Sequence, residues 1–270
     1  GSDEAHSVVY GSDGNIYAAG YSSNSGTLED FTVISLTSSG TERWVYKYDG
    51  PANSMDGAYS VVYGSDGNIY AAGFNSKGIG ADQDFVVISL TSSGTENWIY
   101  CYNGTAGGTD GARSVVYGSD GNIYAAGNSS NSGTLKDFTV ISLTSSGTER
   151  WVYAYDGPGN DWDVAYSIVY GSDGNIYVAG WSCGSGDYSD FTVISLTGGG
   201  TERWVYRYDG PGHHDLAYSI VYGSDGNIYA AGRINRYFIV ISLMGSGRER
   251  WIFGYTAFLD DGAKSVTYGL

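Results

Sequence analysis

The sequence predicts an all-β fold, a five-bladed β-propeller of four-stranded antiparallel blades, and three observations predict it. The segment Gly-Ser-Asp-Gly-Asn-Ile-Tyr begins at Gly11, Gly64, Gly118, Gly171 and Gly223, at intervals of 53, 54, 53 and 52 residues. Each interval carries four short apolar runs rich in Val, Ile, Tyr, Thr and Trp, the residues that suit a pleated, half-buried surface. Side-chain volume rises along each interval, as expected where blades are crowded at one edge and far apart at the other.

In the first repeat the runs are Ser7–Tyr10, Ile16–Gly20, Phe31–Leu36 and Trp44–Tyr48, here strands A to D. Gly11-Ser12-Asp13-Gly14-Asn15 joins A to B, and Ser38-Ser39-Gly40-Thr41 joins C to D; both place Gly where a short hairpin needs a left-handed residue. A and B are built of small residues and C and D of large ones, and the runs are apolar on both faces, as blades between two neighbours should be. The units fall near 5–57, 58–111, 112–164, 165–216 and 217–262 of one propeller domain spanning 1–270. An extra copy of strand A, 263–269, repeats the Ala5–Gly11 pattern. A closed five-blade ring needs twenty strands and this chain supplies twenty-one. One copy then lies outside the ring, the chain is cut from a longer array, or the spare strand pairs with another molecule.

The run SVVYGSDGNIYAAG…DFTVISLTSSGTERWVY resembles the bacterial and archaeal β-propeller repeat called SBBP and, more loosely, the NHL repeat. The likeness covers nearly the whole chain in five copies. It implies a propeller from an extracellular or cell-surface protein, and it implies no catalytic residues.

Lys and Arg number 13 against 29 Asp and Glu, a net charge of −16, which repels phosphate backbones and argues against nucleic-acid binding. No apolar run reaches 18 residues, so no membrane insertion by a helix is expected. Cys101 and Cys183 do not recur between repeats and are expected to stay unbridged.

Antiparallel connectivity puts the A–B and C–D turns at one end of each blade and the B–C and D–A connections at the other. The first set barely changes; the second varies in length and chemistry, and function on a repeat scaffold usually resides in variable loops. Candidate binding residues therefore lie at the variable end. One series, just after strand B, is Tyr21, Phe74, Asn128, Trp181 and Arg233; a second, just before strand A, includes Tyr59 and Arg113. Trp162 and Tyr188, in the fourth unit's loops, join Trp181 as aromatics flanked by Asp and Asn, a combination that stacks on sugar faces and binds hydroxyls. Loop packing is the competing explanation for them, as inter-blade packing is for the five recurring Trp at the head of strand D.

Asp30, Asp84, Asp137 and Asp190 before strand C, with Asp49, Asp156 and Asp209 after strand D, invite a Ca²⁺ reading. No EF-hand pattern is present, and capping of backbone amides is the expected role, so no cofactor and no metal is assigned. His213-His214-Asp215 lacks a third ligand at metal spacing. The fifth unit is basic, with Arg233, Arg236, Arg248, Arg250 and Lys264, and suggests self-association through it and the surplus strand. The sequence reading is thus a non-enzymatic extracellular or cell-surface binding or structural module, with a protein or glycan ligand on the variable face. A lectin-like carbohydrate binder is the alternative, and an enzyme of unknown type comes third.

Overall fold

Each repeat's four apolar runs become four neighbouring strands of one sheet. The computed structural model describes residues 2–23, 28–78, 82–184, 188–210, 214–255 and 264–267. The first sheet is β1 (Glu4–Tyr10), β2 (Asn15–Ser23), β3 (Glu29–Thr37) and β4 (Glu42–Tyr48); the second is β5 (Gly57–Tyr63), β6 (Ile69–Ser76), β7 (Gln83–Leu90) and β8 (Glu96–Tyr102). The third is β9 (Gly111–Tyr117), β10 (Ile123–Ser130), β11 (Lys136–Leu143) and β12 (Glu149–Tyr155). The fourth is β13 (Asp163–Tyr170), β14 (Asn175–Cys183), β15 (Ser189–Thr197) and β16 (Glu202–Tyr208), and the fifth β17 (Asp215–Tyr222), β18 (Asn227–Ile234), β19 (Tyr237–Met244) and β20 (Glu249–Tyr255). Strands follow one another in sheet order, and no helix occurs among the described residues.

One expectation is corrected. Strand B continues past its expected end, so Tyr21, Phe74, Asn128, Trp181 and Arg233 lie inside β2, β6, β10, β14 and β18 rather than in loops; the ladder to the next strand extends to Ser22↔Asp30 and its counterparts. The surplus strand is described only over 264–267, where it joins no sheet. The D–A loop 256–261 and His213 lie outside the described residues.

The chain divides into two compact units, residues 1–132 with 141–150 and residues 133–140 with 151–270. Within the first unit Tyr17, Phe31 and Val33 of the first sheet pack on Ile69, Ala71, Val86, Ile88 and Leu90 of the second. Within the second, Tyr177, Phe191 and Val193 pack on Ile228, Ala230, Ile239, Ile241 and Leu243. Both sets are buried, at about 25 cal/mol per Å² of apolar surface removed from water.

The two edges of such a junction are filled differently. At the first-strand edge a serine suffices: Val61 N donates to Ser7 Oγ at 3.2 Å, Val115 N to Ser60 Oγ at 3.2 Å and Ile220 N to Ser167 Oγ at 3.3 Å. At the fourth-strand edge an indole is needed. Trp44 Nε1 donates to the Ser92 carbonyl at 3.0 Å and Trp98 Nε1 to that of Ser145 at 2.9 Å. In the second unit Trp151 and Trp204 reach the Gly198 and Gly245 carbonyls at 3.2 and 3.1 Å. Beside each Trp, a phenol bonds the Glu after the same turn: Tyr46 to Glu96, Tyr100 to Glu149, Tyr153 to Glu202 and Tyr206 to Glu249, all at 2.5–2.7 Å. Burial, then the accepting carboxylate, pushes these four phenols well above their ordinary pKa. Trp44, Trp98, Trp151 and Trp204 are therefore packing residues, as the repeat spacing implied, while Trp251 is exposed.

The turn glycines show how closely this contact is fitted. Gly40 and Gly94 have φ of +84° and +85°, so Ala strains either backbone alike. A Cβ on Gly94 would come within 2.6 Å of the Trp44 ring, whereas one on Gly40 meets nothing within 4 Å. Gly40→Ala should cost about 1 kcal/mol, and Gly94→Ala a further ~1–3 kcal/mol of overpacking; equal losses in urea unfolding would refute the fitted contact.

Candidate functional site

In each unit the B–C and D–A connections meet, as connectivity required: Asp56 N donates to the Glu29 carbonyl at 2.6 Å, Asp110 N to Gln83 at 2.9 Å, and Gly159 N to Cys183 at 3.1 Å. One residue per first strand has no ladder partner. The register jumps from Ala5 to Ser7, Ala58 to Ser60, Ala165 to Ser167 and Ala217 to Ser219, leaving His6, Tyr59, Tyr166 and Tyr218 on β-bulges; Arg113 is bulged likewise. A glycine opposite makes room, since a Cβ on Gly20 would lie 1.9 Å from the Glu4 carbonyl oxygen. A bulge re-aims its side chain, and here the re-aimed groups form rows. In the first unit His6 lies 5.2 Å from Tyr59 and 5.5 Å from Tyr21, Tyr59 lies 5.5 Å from Phe74, and the Arg113 guanidinium sits 5.4 Å above Tyr59. In the second, Tyr166 and Tyr218 are 5.5 Å apart with the Lys264 ammonium 4.1 Å over Tyr218.

The expected binding residues separate on this geometry. Phe74 and Asn128 are buried; Phe74 packs under Tyr59, and Asn128 Nδ2 donates to the Thr109 carbonyl at 2.9 Å, so both are structural. The Tyr21 hydroxyl donates to Glu4 at 2.6 Å. Arg233 is half-buried on β18, and Tyr188 is exposed just before β15.

Trp162 and Trp181 do come together. With Tyr166, Asp161, His214 and Leu216 they line a pocket of about 360 Å³ in the second unit, within the usual size range of small-molecule sites. Trp181 Nε1 donates to the Tyr166 hydroxyl at 3.2 Å, which fixes that ring. Trp162 is 48% exposed, with the Lys136 ammonium 4.5 Å from its ring. Ser189 and Cys183 complete the wall. Burial, then nearby carboxylates, pushes the Cys183 thiol up to about 11, so it remains a thiol, and both cysteines are free. Ser189 Oγ and His214 Nδ1 are 3.1 Å apart, but among the described residues no carboxylate bonds that ring to orient it as a base. The sequence marked the two Trp because they break the repeat; it gave no sign of Leu216 or of Ser189, which register alone brings to the wall.

The acids work mainly on the backbone. Asp163 accepts from Gly157 N at 2.6 Å and Cys183 N at 2.8 Å, Asp56 from Gly50 N at 2.5 Å and Ser76 N at 2.8 Å, and Asp110 and Asp215 repeat the pattern. The Asp before strand C is met by a cation in two sheets, Lys77 on Asp84 at 2.8 Å and Arg207 on Asp190. Where the third sheet meets the fourth, Asp137 of β11, Asp156 just after β12 and Asp163 of β13 bring carboxylate oxygens within 4.8 Å of one another. Such oxygens suit a hard cation, although Asp163 already spends both of its own on amides.

Five sequential four-stranded antiparallel sheets of this kind define a β-propeller, with a pocket at the variable end of its fourth blade. The chain is similar to a protein of unknown function from Bacteroides caccae, at 12% identity and a TM-score of 0.52, over 94% of this chain and 82% of that one. It is similar too to TolB from Acinetobacter baumannii, at 12% identity and a TM-score of 0.52, over 99% of this chain and 58% of that one. These likenesses speak for the fold alone. No protein-family model and no curated protein matches the chain.

Burial first, then the charges of Asp156 and Asp137, raises Asp163 to about 7, against its amide bonds. Its folded pKa exceeds the unfolded one, so its stabilising contribution is complete below about pH 4 and lost as pH rises through about 7, in total ~2–4 kcal/mol. Carboxyl titration by NMR should show this value, lowered in Asp156→Asn; an Asp163 titrating near 4 would contradict it.

Proposed function

We propose that the protein is a non-catalytic binding module in which a rigid propeller presents the variable ends of its blades, the fourth above all, to a ligand. The single observation that carries this is the pocket of about 360 Å³ where the only two tryptophans outside the repeat pattern converge. Two indoles and a phenol present large apolar faces, while Asp161, Ser189 and His214 supply polar contacts at the rim. The resemblance of the repeats to SBBP adds an extracellular or cell-surface setting.

A carbohydrate is the second, more specific reading, favoured by Trp162, whose half-exposed ring beside Asp161 suits the apolar face of a sugar. The test is a glycan array followed by calorimetry. Specific hits whose affinity falls about tenfold or more in Trp162→Ala and Trp181→Ala, a loss of ~1.4 kcal/mol or more, support it. A blank array leaves a protein ligand for the module, and hits indifferent to both substitutions overturn the pocket as the site.

A further inference from the structure

The junction between sheets is built repeatedly, and two halves of it are left open. A Cβ on Gly94, Gly147, Gly200 or Gly247 would strike the Trp of the preceding sheet at 2.5–2.6 Å, but Gly40 is an empty socket. Trp251, the fifth of the Trp series, is 42% exposed, and Phe253 and Tyr255 on the same strand are 55% and 57% exposed. On the first sheet Val8 and Tyr10 are 69% and 65% exposed, and Leu36 is half-buried where Leu90, Leu143, Leu196 and Leu243 are fully buried. A groove of about 260 Å³ bounded by Ala5, Ala18, Tyr21, Thr32 and Ile34 lies on the first sheet. The open face of the fifth sheet thus has the chemistry of every Trp-bearing face, and that of the first sheet the chemistry of every receiving face.

Residues 264–267 already stand where a following first strand belongs. Val266 N donates to Ser219 Oγ at 3.1 Å, the bond that Val61 N makes to Ser7. They carry the β1 pattern, Lys264-Ser265-Val266-Thr267 against His6-Ser7-Val8-Val9, yet pair with no strand among the described residues. Charge is complementary: Arg236, Arg248, Arg250 and Lys264 belong to the fifth sheet and this segment, Glu29 and Glu42 to the strands of the first sheet that stay in place.

We propose that a second copy of this chain docks its first sheet on the fifth, with residues 264–267 pairing with the partner copy's β2 in place of its β1. The exchange keeps the ladder, because the incoming sequence copies the outgoing one. It fills the empty Gly40 turn with Trp251 and covers the exposed side chains of β20 with the partner copy's β2, β3 and β4, while the displaced β1 carries its exposed Val8 and Tyr10 away from the contact. One bond of the other junctions is missing, since Phe253 occupies the position of Tyr46, Tyr100, Tyr153 and Tyr206 and has no hydroxyl for Glu42. The association is therefore weaker than an internal junction, and reversible.

The β1–β2 register pairs Val8 with Ala18, so Val266 should face Ala18 of the partner copy. In a Cys101→Ser background, one chain carries Ala18→Cys and another Val266→Cys, and the two are mixed and gently oxidised. The expected product is a reducible heterodimer. Light scattering on the unsubstituted chain should show mass rising with concentration and falling with salt. Phe253→Tyr should tighten association about tenfold by restoring the hydroxyl bond to Glu42, and Phe253→Asp should abolish it with the monomer's unfolding curve unchanged. No mixed disulfide, or a disulfide formed only within a chain carrying both cysteines, overturns the proposal. So does a strict monomer at every concentration and ionic strength.

Discussion

The indole seated on the next sheet's turn is the contact on which the rest depends. Sheets held face to face by a serine at one edge must splay at the other, and the gap has to be filled by something large, apolar and able to satisfy a carbonyl. Trp does all three, and the neighbouring phenol–carboxylate bond fixes the angle of approach. Invariance at one end of each blade follows. A turn that must present Gly, a free carbonyl and a Glu in register has little freedom to change, so variation is confined to the opposite end.

At the opposite end the backbone is held by carboxylates rather than by regular ladder bonds. Asp56, Asp110, Asp163 and Asp215 each accept two amides and are buried for it, and each is pushed above the ordinary carboxylate range by that burial. Loops of different length can leave the same anchored stem. The pocket in the second unit is one product: Trp162 precedes such an aspartate directly, and Trp181 lies on the strand whose end that aspartate caps.

The strands and their order were legible because a 53-residue period, β-forming runs and Gly-containing turns all bear on backbone pairing, which is local. The Trp role was legible for the same reason, as a five-fold recurrence. The fate of Phe74 and Asn128 was not. Both occupy varying positions, and variation looks alike in sequence whether a side chain faces solvent, as Trp162 does, or fills a gap under a neighbour such as Tyr59. The bulges were hidden too, because one extra residue in a first strand leaves its apolar pattern intact while turning His6, Tyr59, Tyr166 and Tyr218 out of register.

That extra residue has a lasting evolutionary effect. A side chain outside the ladder can be exchanged without disturbing strand pairing or the junctions between sheets, and the chain has already placed imidazole, phenol and guanidinium there. Successive duplications therefore hand natural selection a series of positions that can be rewritten one at a time, so that these side chains diverge while the copies around them stay nearly identical.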